Sequence, residues 1–222
     1  MTNTLEQEPL ASLLKELHRK ARRELPRLAA IMITLMAPRL MGRPITAEYQ
    51  TRAFQKAFIA LGPEAGRFAY ATARAIGART IVEFGMSFGI STLYLAAAVR
   101  DNGGGKVVTT ELDAGKCRVA AEHFARAGLA DAIEIRQGDA METLRHGPDA
   151  IDMVLLDGWK DRYLDVLRLL EARLRPAAVV LADNIHMFKR TLAPYVAHVQ
   201  KGGGYASSTL PLGSGLEYSV RI

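Results

Sequence analysis

Residues Thr80-Ile-Val-Glu-Phe-Gly-Met-Ser-Phe-Gly-Ile-Ser91 decide the fold. Their first five form a short apolar run rich in β-branched and aromatic side chains, which predicts a buried strand over Thr80–Phe84. Gly85 and Gly89 then let the backbone turn tightly and approach a ligand closely. A helical stretch follows, to about residue 100. Strand, glycine turn and helix together make the opening unit of a doubly wound α/β sheet. The spacing is G-x-x-x-G, not the dinucleotide G-x-G-x-x-G, and no Gly-Lys-Ser/Thr follows as in a P-loop. Glu83, just before the turn, would also repel phosphate. A pyrophosphate site, and with it a nicotinamide dehydrogenase, is therefore disfavoured.

Working toward the C-terminus, the same alternation repeats. Lys106–Thr110, Ala132–Arg136, Ile151–Leu156 and Ala177–Ala182 read as further buried strands. Helices are predicted near residues 114–127, 139–145 and 161–174 between them, and near 187–199 after the last. Gly202-Gly-Gly204 breaks the chain. Two final strands, Tyr205–Leu210 and Leu216–Ile222, are joined by Pro-Leu-Gly-Ser-Gly, short enough for a hairpin. The expected fold is α/β, a doubly wound and mostly parallel sheet with a reversed last strand.

Working toward the N-terminus, the pattern is helical only. Pro9 suits a first helical turn, and Leu10, Leu13, Leu14, Leu17 and Ala21 form one apolar stripe. Pro26 is expected to kink or end this helix, with a second helix running to Pro38. Gly42-Arg-Pro44 reads as a loop, Thr46 as the cap of a helix to about Leu61, and Pro63 as the start of another to about Ile76. This divides the chain into an N-terminal helical segment, residues 1–60, and a main domain, residues 61–222. The segment can serve as a lid, a dimer contact or both. Ile31, Met32, Leu35 and Met36 can line an acceptor pocket or simply pack.

Composition narrows the class. The chain has 222 residues, 49% of them hydrophobic and 23% charged, a globular mixture. A single cysteine, Cys117, excludes an intrachain disulfide framework and a multi-cysteine metal cluster. The beginning of the chain lacks a signal-peptide pattern, and the longest apolar run, Leu28–Pro38, is too short to span a bilayer. A cytoplasmic protein without membrane association is the expectation. The net charge of +6 is uneven: residues 1–79 hold 13 Lys/Arg and 6 Asp/Glu, the rest 16 and 17. This N-terminal surplus is either a solvated helical face or the mark of an anionic partner.

In an open parallel sheet, ligands bind outside the carboxyl ends of the strands. The second strand ends at Glu111, 26 residues after Gly85, where a carboxylate can accept both hydroxyls of a ribose. With a turn unsuited to pyrophosphate, this points to a nucleoside that carries no phosphate. Asp139, after the third strand, can cap the next helix or reach an adenine amino group. The fourth strand ends Leu-Leu-Asp157-Gly-Trp159-Lys160-Asp-Arg-Tyr163 and the fifth Leu-Ala-Asp183-Asn184. If these strands are neighbours, Asp157, Asp183 and Asn184 converge as hard oxygen ligands suited to Mg²⁺. Lys160 is then a candidate general base or a surface lysine, and Trp159 covers a flat ligand or packs. The five histidines show no paired ligand spacing and read as surface or helix residues, with His186 alone near the site.

These residues resemble the class I S-adenosylmethionine-dependent methyltransferases. Within them the chain is similar to the metal-dependent O-methyltransferases, the catechol and caffeoyl-CoA group, over residues about 60 to 222. Val-Glu-Phe-Gly-x-x-x-Gly-x-Ser matches the first motif, Glu111 the ribose-binding acid, and Asp-Gly-Trp-Lys-Asp-Arg-Tyr with Ala-Asp-Asn the metal and base region. The resemblance implies a Rossmann-like methyltransferase sheet of seven strands. It implies S-adenosylmethionine as cofactor, surrounded by Glu83, Gly85, Ser91, Glu111, Asp139, Asp157 and Trp159. It implies Mg²⁺ or another divalent cation on Asp157, Asp183 and Asn184, and Lys160 as the catalytic base. The implied substrate is a small aromatic carrying adjacent hydroxyls. Two departures stand out. Gly158 replaces a larger residue, which would leave the cofactor wall more open. The late acidic residue that orients the second catechol hydroxyl has no clear counterpart. The alternatives are a tRNA hydroxyuridine methyltransferase of the same fold, which the basic N-terminus motivates, and a non-catalytic small-molecule-binding protein. A homodimer is compatible with all three.

Overall fold

The computed structural model of the chain describes residues 3–40, 58 and 60–222, with the side chains of 32 and 35–40 outside the description. The expected loop at Gly42–Pro44, the helix capped by Thr46, and the side chains of Met32, Leu35 and Met36 lie outside the described residues.

Seven strands form one sheet: β1 (Thr80–Phe84), β2 (Lys106–Glu111), β3 (Ile133–Gln137), β4 (Ile151–Leu156), β5 (Leu174–Ala182), β6 (Tyr205–Leu210) and β7 (Leu216–Arg221). Their order is β3-β2-β1-β4-β5-β7-β6. The first five run parallel, and β7 is antiparallel to both β5 and β6. The order reverses between β1 and β4, which opens a crevice above their carboxyl ends. β5 begins three residues earlier than expected, because the pairing of β4 with β5 shifts register between Ile151 and Met153. Ala177 takes up the irregularity at φ +62°.

Helices cover both faces: α1 (Leu10–Leu40), α2 (Pro63–Ala75), α3 (Ile90–Asp101), α4 (Ala114–Arg126), α5 (Ala140–Thr143), α6 (Tyr163–Leu170) and α7 (Lys189–Lys201). The two-residue alternation of a strand sorts the core into two clusters. Ile81, Met153, Leu155, Val179 and Leu181 pack with the buried residues of α1, α2, α3 and α4. Val82, Phe84, Val154, Leu156 and Val180 pack with those of α5, α6 and α7.

Pro26 does not end the first helix. α1 continues through it to Leu40 as one element of 31 residues. Pro26 lies in a solvent-exposed stretch, where the turn before the ring can open toward water without disturbing packing. The first third of α1 is part of the core: Leu10, Leu13, Leu14 and Leu17 are buried in the same cluster as Leu93 of α3. Leu25 and Ile33, further along, are exposed. Among the described residues, no helix is long and apolar enough to cross a membrane.

Candidate active site

Backbone hydrogen bonds align the strand ends that carry the candidate residues. The Asp157 N–H donates to Phe84 O at 2.8 Å, and the Asp183 N–H to Leu156 O at 3.0 Å. β1, β4 and β5 therefore deliver Gly85, Asp157 and Asp183 to one edge of the sheet. Gly85, at φ +99°, brings its backbone against that of Gly158; a Cβ there would lie 2.4 Å from Gly158 N. Glycine is required at that position on both counts.

The acid, amine and amide residues lie at these strand ends. Lys160 Nζ donates to Asp157 Oδ1 at 3.0 Å and to Tyr163 Oη at 2.7 Å. Tyr163 Oη in turn donates to the Asp183 carbonyl at 3.2 Å. Asn184 Nδ2 donates to Asp183 Oδ2 at 2.9 Å, which leaves its amide oxygen as the atom for a ligand. Asn184 adopts φ +69°, a conformation asparagine tolerates better than most residues. Asp183 is 7% exposed. Burial, then the Asp157 charge, push its carboxyl up to about 7, against the opposing influence of Lys160 and Asn184. A buried carboxylate facing a second carboxylate is a place where a cation relieves repulsion. Among the described residues, no group of three or more His, Cys, Asp or Glu side chains is arranged for a metal. The donors here are two carboxylates and an amide, a set of hard oxygens that fits Mg²⁺ when water or substrate completes the coordination.

Around β1 and β2 the other candidates take their places. Glu111 accepts the Ser87 N–H on Oε2 at 2.9 Å and the Asp113 N–H on Oε1 at 3.0 Å. A carboxylate has lone pairs left after two such bonds, so diol recognition remains open to it. Glu83 is fully buried beneath the turn, where Thr92 and Thr109 donate to Oε2 at 2.5 and 2.6 Å. Its Oε1 is buried and accepts no well-formed hydrogen bond. Ser91 is buried in the first turn of α3 and, with Thr109 and Thr92, favours the charged form of Glu83. Asp139 caps α5 by accepting the Met141 N–H at 2.8 Å, one of the two roles open to it. Trp159 is half-buried and packs on the α5–α6–α7 side of the core. Of these positions, Glu111 at the end of β2 keeps acceptor capacity suited to a ribose diol.

One expectation changes. Gly158 does not leave an open wall: a Cβ there would lie 2.6 Å from Phe84 Cε1, so the Phe84 ring fills the room a side chain would need. His18 and His123 are helix residues but not surface ones. His18 Nε2 is 2.9 Å from Tyr94 Oη, and His123 Nδ1 is 2.9 Å from Phe88 O. His186 is exposed, its ring beside Gly215. Cys117 is buried, and burial followed by Glu111 and Asp113 push its thiol up to about 11, which suits no nucleophile. The residue that sequence reasoning missed is Tyr163. Its place three residues after Lys160, one helical turn on, was the available signal.

Residues 82–185 match the model of a family described as a methyltransferase domain. Catechol O-methyltransferase of Niastella koreensis is 31% identical over 131 residues, covering 57% of this chain and 58% of that protein. Catechol O-methyltransferase of Sus scrofa is 30% identical over 153 residues, covering 64% of this chain and 77% of that protein. The chain thus spans less than two thirds of the Niastella relative and more than two thirds of the porcine one. Among solved structures, the O-methyltransferase from Bacillus cereus in complex with SAH superimposes with a TM-score of 0.68 at 23% identity. That match covers 73% of this chain and 83% of the other, a likeness of the Rossmann-like methyltransferase fold.

Proposed function

The chain belongs to the catechol and caffeoyl-CoA group of class I O-methyltransferases, and from that premise we propose that it transfers the methyl group of S-adenosylmethionine to a hydroxyl of a catechol-like aromatic. What supports this reading is the meeting of Asp157, Lys160, Asp183 and Asn184 beside the β1–α3 turn. Residues 61–222 are the methyltransferase domain in this reading, and residues 1–60 a helical segment against it.

Glu83, Gly85, Ser91, Glu111, Asp139, Asp157 and Trp159 would surround the cofactor, which supplies the electrophilic methyl when bound. Asp157, Asp183 and Asn184 would hold Mg²⁺ or another divalent cation, which when bound supplies Lewis-acid stabilisation of ionised hydroxyl oxygen. Lys160 takes the acceptor's proton at Nζ. Asp157 Oδ1 and Tyr163 Oη, at 3.0 and 2.7 Å, then share the resulting ammonium. Tyr163, buried and tied to the Asp183 carbonyl, keeps the lysine aimed at the edge where β4 and β5 end. The fixed strand ends hold nucleophile and methyl in attack geometry, the main contribution a protein makes to such a transfer.

The test is transfer of labelled methyl from S-adenosylmethionine to a panel of catechols, with Mg²⁺ and with excess EDTA. Labelling that depends on the cation is expected. Full labelling in EDTA would remove the metal from the reading. Intact cofactor binding without labelling of any catechol would remove the acceptor class.

A further inference from the structure

Phe58 belongs to none of the described helices and strands, yet it is only 3% exposed. Its ring stacks on Phe88 with centroids 4.5 Å apart and planes 10° from parallel. Lys20 Nζ, from α1, stands 4.9 Å from the centroid of Phe58. Lys116 Nζ, from α4, stands 5.7 Å from that of Phe88. Four side chains thus link the N-terminal helix, Phe58, the β1–α3 turn and α4 through ring stacking and cation–π contact.

Phe88 lies inside the Gly85–Gly89 turn itself. Its neighbour Ser87 sits at φ +51°, a left-handed conformation that persists only where the surroundings impose it. Glu111 accepts the Ser87 N–H from one side, and His123 Nδ1 pairs with Phe88 O from another. The ring of Phe58 is the third restraint, and the only one of the three that comes from N-terminal of β1. Glu111 thereby connects the geometry of this turn to the ribose position.

We propose that Phe58 is a positioning residue of the cofactor site: its stack on Phe88 holds the β1–α3 turn in binding form and couples the docking of α1 to the binding of S-adenosylmethionine. The inference rests on the reading of that turn as the cofactor site. Coupling of this kind is reciprocal, so the cofactor must tighten α1 as much as docked α1 tightens the cofactor.

Two measurements on the full chain test it. In calorimetric titration with S-adenosylmethionine, Phe58→Ala should raise Kd by about three- to tenfold, the worth of one aromatic stack. Phe58→Tyr should restore it to near the native value. In hydrogen exchange on the native chain, S-adenosylmethionine should slow the amides of residues 10–21. A residue that merely packs would lower thermal stability in the alanine variant without moving Kd, and an unchanged Kd overturns the proposal. If the alanine variant does not fold, the native exchange decides: no slowing in α1 on cofactor binding overturns it as well. Failure of the native chain to bind S-adenosylmethionine at all is a different result, because it removes the cofactor-site reading beneath.

Discussion

At Lys160 one amine meets two oxygens, and in the proposed role of base both would share the charge it gains on taking a proton. Lys160→Ala should therefore lower kcat by about 10²- to 10⁴-fold, the usual worth of a positioned base. The Kd for S-adenosylmethionine should hold, since in that role the amine would serve the acceptor. Stopped turnover measured beside cofactor titration separates the two, and equal losses in both would count against the role. Glu83 gives a second prediction, in stability. Burial raises its folded pKa above the unfolded value near 4.5, with Ser91, Thr109 and Thr92 working the other way. The folded chain then keeps a proton that the unfolded chain has released. Its contribution to stability is full below the unfolded pKa and is lost as pH rises toward the folded one. Glu83→Gln cannot ionise, so without cofactor its Tm should gain on the native chain's as pH rises from about 4 to about 7. A difference that stays flat across that range would show that the carboxyl ionises as easily folded as unfolded. The acid before the turn was legible in the sequence. Its burial under Thr92 and Thr109 was not, because those hydroxyls come from residues 9 and 26 places away.

Elements were legible where one local signal dominates. β1 and β4 begin and end where their apolar runs do, since a strand buried on both faces has few ways to place such a run. At Pro26 the expected end of the helix did not follow, because the cost of an internal proline depends on whether the opened turn faces core or water. Gly158 was misjudged for a similar reason. The space beside a glycine belongs to whichever neighbour fills it, and here that neighbour is Phe84, on the adjacent strand. This contact makes the ends of β1 and β4 one packed unit. Gly158→Ala should destabilise the chain by about 1–3 kcal/mol through overpacking. In a Phe84→Leu background the same substitution should cost less, giving a coupling of about 0.5–3 kcal/mol in a double-mutant cycle. Additive costs in denaturant melts would mean that the ring and the glycine do not constrain each other.

Over the whole molecule, the sequence separates a basic helical segment from an α/β domain, but packing does not follow that line. Asp101, at the end of α3, accepts the Thr4 N–H at 2.9 Å, the Thr4 hydroxyl at 2.5 Å and the Tyr70 hydroxyl at 2.6 Å, and pairs with Arg74 at 3.2 Å. His18 and Tyr94 add a buried polar contact further along. Thr4 lies 97 residues from Asp101 and His18 lies 76 from Tyr94, so charge and periodicity could suggest a lid while saying nothing of how firmly it is fixed. The apolar stripe carries most of the energy. Leu10, Leu13, Leu14 and Leu17 are buried, and each such side chain contributes about 1.5–3 kcal/mol. Together they amount to about 6–12 kcal/mol, an upper bound because the unfolded chain is partly compact. That is comparable with the entire stability of a typical domain, about 5–15 kcal/mol. A chain lacking residues 1–21 should therefore lose its cooperative thermal transition and near-ultraviolet dichroism while keeping much of its helical signal. A truncated chain that melts cooperatively within a few degrees of the native one would make the segment a detachable lid. Loss of the transition would make it a structural layer of the domain, whose docked surface the cofactor turn then meets through Phe58.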